Sequence, residues 1–278
     1  MDDFPLFAHA YLQRAALAGL FAGVGCALAG CFVVTMQLSF LGVCIAHAAF
    51  AGALAALWAG LDPLWGALLF ALLSAAVVGP MADRGELSPD ASIGVVFMFM
   101  LGLGFLFLGL IPGARTQALS LLWGSILTLD WSDVTAAGAA CLLVVGVVVV
   151  LFKPIRAVVC HREVAAAVGI PATAVFYGLL LLTGATVAAS LRTVGGLLVY
   201  SLMLGPAAAA YQLTYSFRLM MVLACIFGAG SCWAGLAASY WWDLPAGASI
   251  VLCASAIFGA CLAASPKRRT LSDDRQRV

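Results

Sequence analysis

Residues 38–52, LSFLGVCIAHAAFAG, hold one ionisable imidazole, His47, in an otherwise apolar run, with a thiol, Cys44, three positions earlier. On a helix that spacing puts both on one face. Neutral imidazole nitrogen and cysteine sulfur are ligands for a borderline or soft cation, so His47 and Cys44 are candidate metal ligands. Ten residues separate His47 from Gln37, about 15 Å of helix, which predicts a depth near the middle of a bilayer core about 30 Å thick. An ionisable group at that depth points to function. A neutral histidine bonded to a neighbouring helix and filling a packing gap fits the same position.

The second chemistry-bearing stretch is FKPIRAVVCHREVAAAVGIP (152–171), the most polar internal segment. Pro154 is expected to end the preceding span, because its ring cannot continue a helix interior. Gly169 and Pro171 read as a helix stop. A short helix over about 160–169, carrying His161, Arg162, Glu163, Ala166 and Gly169, is therefore expected along a membrane face. An ordinary amphipathic loop with snorkelling basic residues fits it too. Pro206, inside an apolar run, is a candidate kink or gate. Helix breaks in lipid are tolerated where neighbours re-satisfy the backbone.

What positions these residues is set by composition. The 278 residues are 65% apolar and 9% charged, against about 25% charged in soluble domains. Such a chain faces lipid, and its net charge of +1 gives no basis for nucleic-acid binding. Its nine cysteines show no C-x-x-C pair or disulfide framework. Nine apolar runs approach the roughly 20 residues of a membrane helix: about 13–34, 38–60, 63–82, 91–111, 133–152, 173–190, 194–213, 217–240 and 246–264. QALSLLWGSILT (117–128) is too short to span and is expected to be re-entrant or interfacial. The reading is one all-α polytopic membrane domain over 1–278, with eight or nine spans, a cytoplasmic segment at 154–171 and a basic tail at 265–278.

Charge gives the orientation. With the tail inside, inner loops hold Arg84, Lys153, Arg156, Arg162, Arg218, Lys267, Arg268, Arg269, Arg275 and Arg277, while the outer side holds Arg14, Arg115 and Arg192. Ten against three follows the positive-inside rule, so the N-terminus is expected outside and the C-terminus in the cytoplasm. The small-residue runs GLFAG (19–23) and GAGSCWAG (228–235) predict close helix packing. No phosphate-binding loop, G-x-x-x-x-G-K-[ST], occurs, and no acid lies deep in a span. Asp62, Asp130, Asp133 and Asp243 all fall at outer ends. A carrier driven by protons needs buried carboxylates, so the energy source is expected on another chain. An enzyme centred on His47 lacks a second buried acid, base or nucleophile.

Several blocks, in order, carry a resemblance: CFVVTMQLSFLGVCIAHAAFAG (31–52), DASIGVVFMFMLGLGFLFLG (90–109), LLWGSILTLDWSDV (121–134), EVAAAVGIP (163–171) and TVGGLLVYSLMLGPAAAAYQLT (193–214). Together they resemble the integral membrane permease of the zinc and manganese ABC importers. The resemblance implies a homodimer around a central path in the bacterial cytoplasmic membrane. It also implies cytoplasmic ABC ATPase subunits docked on the 154–171 segment, an extracytoplasmic metal-binding protein, and no permanently bound cofactor, with Zn2+ or Mn2+ as cargo. Val43 and Ala46 stand where the family's G-D-x-x-S-H-A segment has its aspartate and serine, while His47 is kept. Loss of a hard oxygen tilts the expectation toward zinc. A metal chelate such as an iron complex, or an ATPase-independent ion channel or carrier, are the alternatives.

Overall fold

The computed structural model describes residues 10–83, 88–111 and 129–267. The short outer segment expected at 117–128 and most of the basic tail lie outside the described residues. Those described form helices joined by turns: α1 (Ala10–Thr35), α2 (Leu41–Trp58), α3 (Pro63–Asp83), α4 (Pro89–Leu110), α5 (Trp131–Val150), α6 (Phe152–Cys160), α7 (Arg162–Ala167), α8 (Ala172–Val194), α9 (Gly196–Leu213), α10 (Phe217–Trp242) and α11 (Ala246–Ala263). An apolar chain in lipid must satisfy its backbone groups internally, and helices do so within each segment. Local sequence sets the ends. Ser88 caps α4 by accepting from the Ala91 amide at 3.3 Å, with Pro89 in its first turn.

Among the described residues, eight helices are at least 18 residues long and apolar enough to cross a membrane. α9, Gly196–Leu213, is also an apolar helix of 18 residues. It follows α8 after a break at Gly195, whose φ of 89° and ψ of 152° suit glycine alone.

The two small-residue runs face one another. A Cβ on Gly23 of α1 would meet the Gly228 carbonyl oxygen of α10 at 2.7 Å, and one on Gly19 would meet Cys232 Cβ at 3.2 Å. α2 and α3 cross as closely, since a Cβ on Gly52 would lie 2.1 Å from the Gly66 oxygen. Small residues here replace the hydrophobic driving force that lipid cannot supply. α1 and α2 are mostly buried, whereas α4 and α11 show most of their surface outward.

The polar segment departs from expectation. α5 ends at Val150, and Pro154 sits in the first turn of α6, where its missing N–H costs nothing. The helix expected at about 160–169 is confined to 162–167, because His161 takes an extended conformation (φ −150°, ψ 86°) between α6 and α7. Its stop is at Gly169, with φ at 84°. There Ile170 N–H donates to Ala165 O and Gly169 N–H to Ala166 O, at 3.0 and 3.1 Å, the paired bonds of a Schellman ending.

Candidate functional site

His47 lies lower along α2 than its sequence distance from Gln37 predicts. Gln37 adopts a left-handed φ of 57° and α2 begins only at Leu41. His47 is therefore about 9 Å from the helix start at 1.5 Å per residue, one third of the way along α2 rather than half.

Its ring is half-buried, as is Val43 one turn earlier. His47 Nδ1 lies 2.9 Å from the Val43 carbonyl oxygen. A carbonyl only accepts, so the bond places the proton on Nδ1 and leaves Nε2 as a free lone pair in the neutral ring. Phe97 of α4 meets the imidazole edge-on, with centroids 5.0 Å apart and planes at 83°, and meets Phe40 in the same manner at 5.4 Å. Phe97 carried no signal in the sequence, being one of many apolar residues in its span.

Cys44 has other neighbours. It is fully buried, with Sγ 3.5 Å from Ser74 Oγ of α3. The structure thus engages the thiol between α2 and α3, while the imidazole faces Phe97. Among the described residues no group of three or more His, Cys, Asp or Glu side chains gathers to hold a metal ion.

On the other flank, a Cβ on Gly196 would lie 4.0 Å from the Ala46 carbonyl oxygen. The α8–α9 break is therefore level with the residue before His47. Interrupted helices in membrane transporters are where backbone polar groups become available to cargo. The adjacent glycines in TVGG were the sequence signal for it. Pro206 is buried inside α9, which continues through it, and its missing N–H leaves the Leu202 carbonyl without its helical donor.

At one end of the bundle, three of the four acids expected at outer ends pair with two of the arginines expected there. Arg192 reaches Asp133 at 3.2 Å and Asp62 at 3.7 Å, and Arg14 reaches Asp130 at 3.8 Å while donating to the Leu129 oxygen at 2.8 Å. The opposite end holds α6, α7 and Lys267. Burial pulls the Lys267 ammonium below its usual range. The Tyr211 ring, 3.6 Å away, supports its charged form.

The residues of the polar segment divide. His161, Glu163, Ala166 and Gly169 are exposed, as are Val164 and Val168 at 61% and 72%. Arg162 turns inward instead, onto Asp83 of α3 and over the Phe176 ring of α8 at 4.3 Å.

These features define a polytopic α-helical membrane protein with a short helix, α7, at one end of the bundle. Residues 8–265 match the ABC 3 transport family. The chain is 30% identical over 267 residues to the "Manganese transport system membrane protein MntC" of Halalkalibacterium halodurans, covering 96% of this chain and 91% of that one. It is 28% identical to the "Chelated iron transport system membrane protein YfeD" of Yersinia pestis, over 92% and 86% of the two chains. Its fold is similar to a chain in a solved structure of PsaBC from Streptococcus pneumoniae in complex with Fab, with a TM-score of 0.86, 27% identity and 97% of both chains covered. The chain belongs to the ABC 3 transport family. It is a membrane permease subunit, and ATP hydrolysis is the work of a separate chain.

Proposed function

We propose that this permease imports a divalent transition metal, with Mn2+ as the first cargo to test. The observation that carries the reading is similarity over nearly the whole chain to a protein named for manganese transport. The zinc preference drawn from the missing carboxylate has no such support and gives way to manganese. Two copies surround the path, ABC ATPase subunits act from the side of α6 and α7, and an extracytoplasmic binding protein delivers the ion at the end where Arg14 and Arg192 pair. In this arrangement α9 is a ninth crossing, so the N-terminus is outside and the C-terminus in the cytoplasm of a bacterial inner membrane, the orientation the charge count favours.

In this reading His47 offers Nε2 to a passing ion, beside the Gly195 break. With Val43 in place of a carboxylate, the path passes the ion rather than holding it. Cys44, engaged with Ser74, supports α2 and joins the ion only if that bond opens. The exposed surface of α7, with His161, Glu163, Val164, Ala166 and Gly169, meets the ATPase, and Pro206 softens α9 near the inner gate. A chelated-iron cargo is the second reading, favoured by the relative named for it.

The test is reconstitution. Alone, the chain should move no Mn2+ under a proton gradient. With its ATPase and binding protein it should import Mn2+ on addition of ATP. Robust uptake by the chain alone would contradict the reading.

A further inference from the structure

Arg162 opens α7, the segment that the proposed function sets against the ATPase, yet its side chain turns onto α3 and α8. Its two terminal nitrogens take both oxygens of Asp83, one at 2.9 Å, and the pair joins residues 79 positions apart. Tyr177 donates its hydroxyl to the same carboxylate at 2.9 Å, and Arg162 also donates to Thr173 Oγ1 at 3.4 Å. Phe176 supports the guanidinium face. A planar fork held at both oxygens and on its face has a fixed direction, which a lysine ammonium cannot reproduce. The pair is also partly exposed, at 31% and 25% of the side chains, and its bidentate geometry is the kind in which a surface ion pair does contribute to stability. Holding the fold together is one account of these convergent contacts.

The elements it joins give a second. Asp83 is the last residue of α3, which continues unbroken through Pro80, a residue without an amide to bond the Ala76 carbonyl. α3 meets α2 backbone to backbone at Gly66 and Gly52, and α2 carries His47. α8 follows the same line, with Tyr177 against Gly79 and Gly184 against the Ala71 oxygen. A crevice of about 240 Å³ beside the pair, lined by Met36, Leu38, Val158, Val159 and Phe176, separates it from the α1–α2 turn. Motion of α7 thus has a stiff connection to α3 and α8 and free space toward α1.

We propose that Arg162, Asp83 and Tyr177 form a positioning clamp that carries ATP-driven motion of α7 into the α2–α3 pair, so that Arg162 is a transmission residue and not an ATPase contact. The inference rests on the proposed ATPase docking at α7. Its test uses the full complex, with the ATPase and binding protein, in proteoliposomes. Mn2+ uptake and ATP hydrolysis are followed together, along with the distance between labels at Val168 and Trp58, which needs no cargo. Asp83→Asn and Arg162→Lys should each lower Mn2+ imported per ATP by about tenfold and abolish the ATP-driven distance change, with the ATPase still bound. Tyr177→Phe, which removes a single hydrogen bond, should give a smaller loss in the same direction. The exchange Asp83→Arg with Arg162→Asp should recover part of the coupling. Unchanged import per ATP in the single variants, or loss of ATPase binding in them, would overturn the clamp. If the wild-type complex shows the distance change but moves no Mn2+, the cargo assignment fails and the clamp is still tested by the distances.

Discussion

His47 folds back on its own helix: Nδ1 lies 2.9 Å from the carbonyl oxygen of Val43, one turn earlier. The bond fixes which nitrogen is free in the neutral ring, and it ties the imidazole to the position where the family it resembles has an aspartate. Val43→Asp would add a hard oxygen one turn from the imidazole, on the same half-buried face. Manganese favours oxygen donors more than zinc does. The ratio of initial Mn2+ to Zn2+ uptake by the assembled transporter should rise in Val43→Asp at equal protein level. An unchanged ratio would separate this face of α2 from ion selection.

The helix crossings make a sharp stability contrast. Gly52→Ala drives a methyl into the Gly66 carbonyl at 2.1 Å, both atoms being on rigid elements. Overpacking of this kind costs roughly 1–3 kcal/mol. Gly94→Ala on α4 meets nothing within 4 Å, and helix propensity there favours alanine by about 0.5–1 kcal/mol. Thermal unfolding in detergent should fall for Gly52→Ala and hold or rise for Gly94→Ala.

The helices were legible in the sequence because lipid makes one demand of every residue in a span, and their ends carry turn residues or charge. The gaps between the expected spans 13–34, 38–60 and 63–82 fall beside the observed turns Met36–Phe40 and Ala59–Asp62. The helical distance from Gln37 to His47 is shorter than expected because a left-handed residue at Gln37 and the turn after it have no hydropathy signature. The partners of GLFAG, of Asp83 and of Arg162 were not legible. Each is a contact between distant segments, and composition constrains what can pack closely without naming against what. Phe97 was hidden for the same reason.

Orientation can be read from a native thiol. Cys160, at the end of α6, is exposed, while Cys26, Cys31, Cys44, Cys141, Cys232 and Cys261 are buried. If α6 and α7 face the cytoplasm, a membrane-impermeant maleimide should leave Cys160 unmodified in intact cells and label it in inverted vesicles. Mass spectrometry of the labelled peptide decides the matter. Labelling from outside would reverse the topology and move the ATPase to the wrong side.

The central claim is that His47 touches the transported ion. His47→Ala removes the ligand and the ring packed against Phe97 together, so it cannot separate cargo binding from packing. His47→Gln keeps a polar side chain of similar length that can donate to the Val43 carbonyl but ligates metal poorly. The direct measurement is the initial rate of ATP-driven Mn2+ uptake by the His47→Gln complex in proteoliposomes, at matched insertion and with the thermal unfolding midpoint recorded beside it. The account predicts a stable, correctly inserted variant whose uptake falls about tenfold or more, the scale of one lost transition-state interaction of about 1.4 kcal/mol. Wild-type uptake with an unchanged unfolding midpoint would contradict it and leave His47 a packing residue.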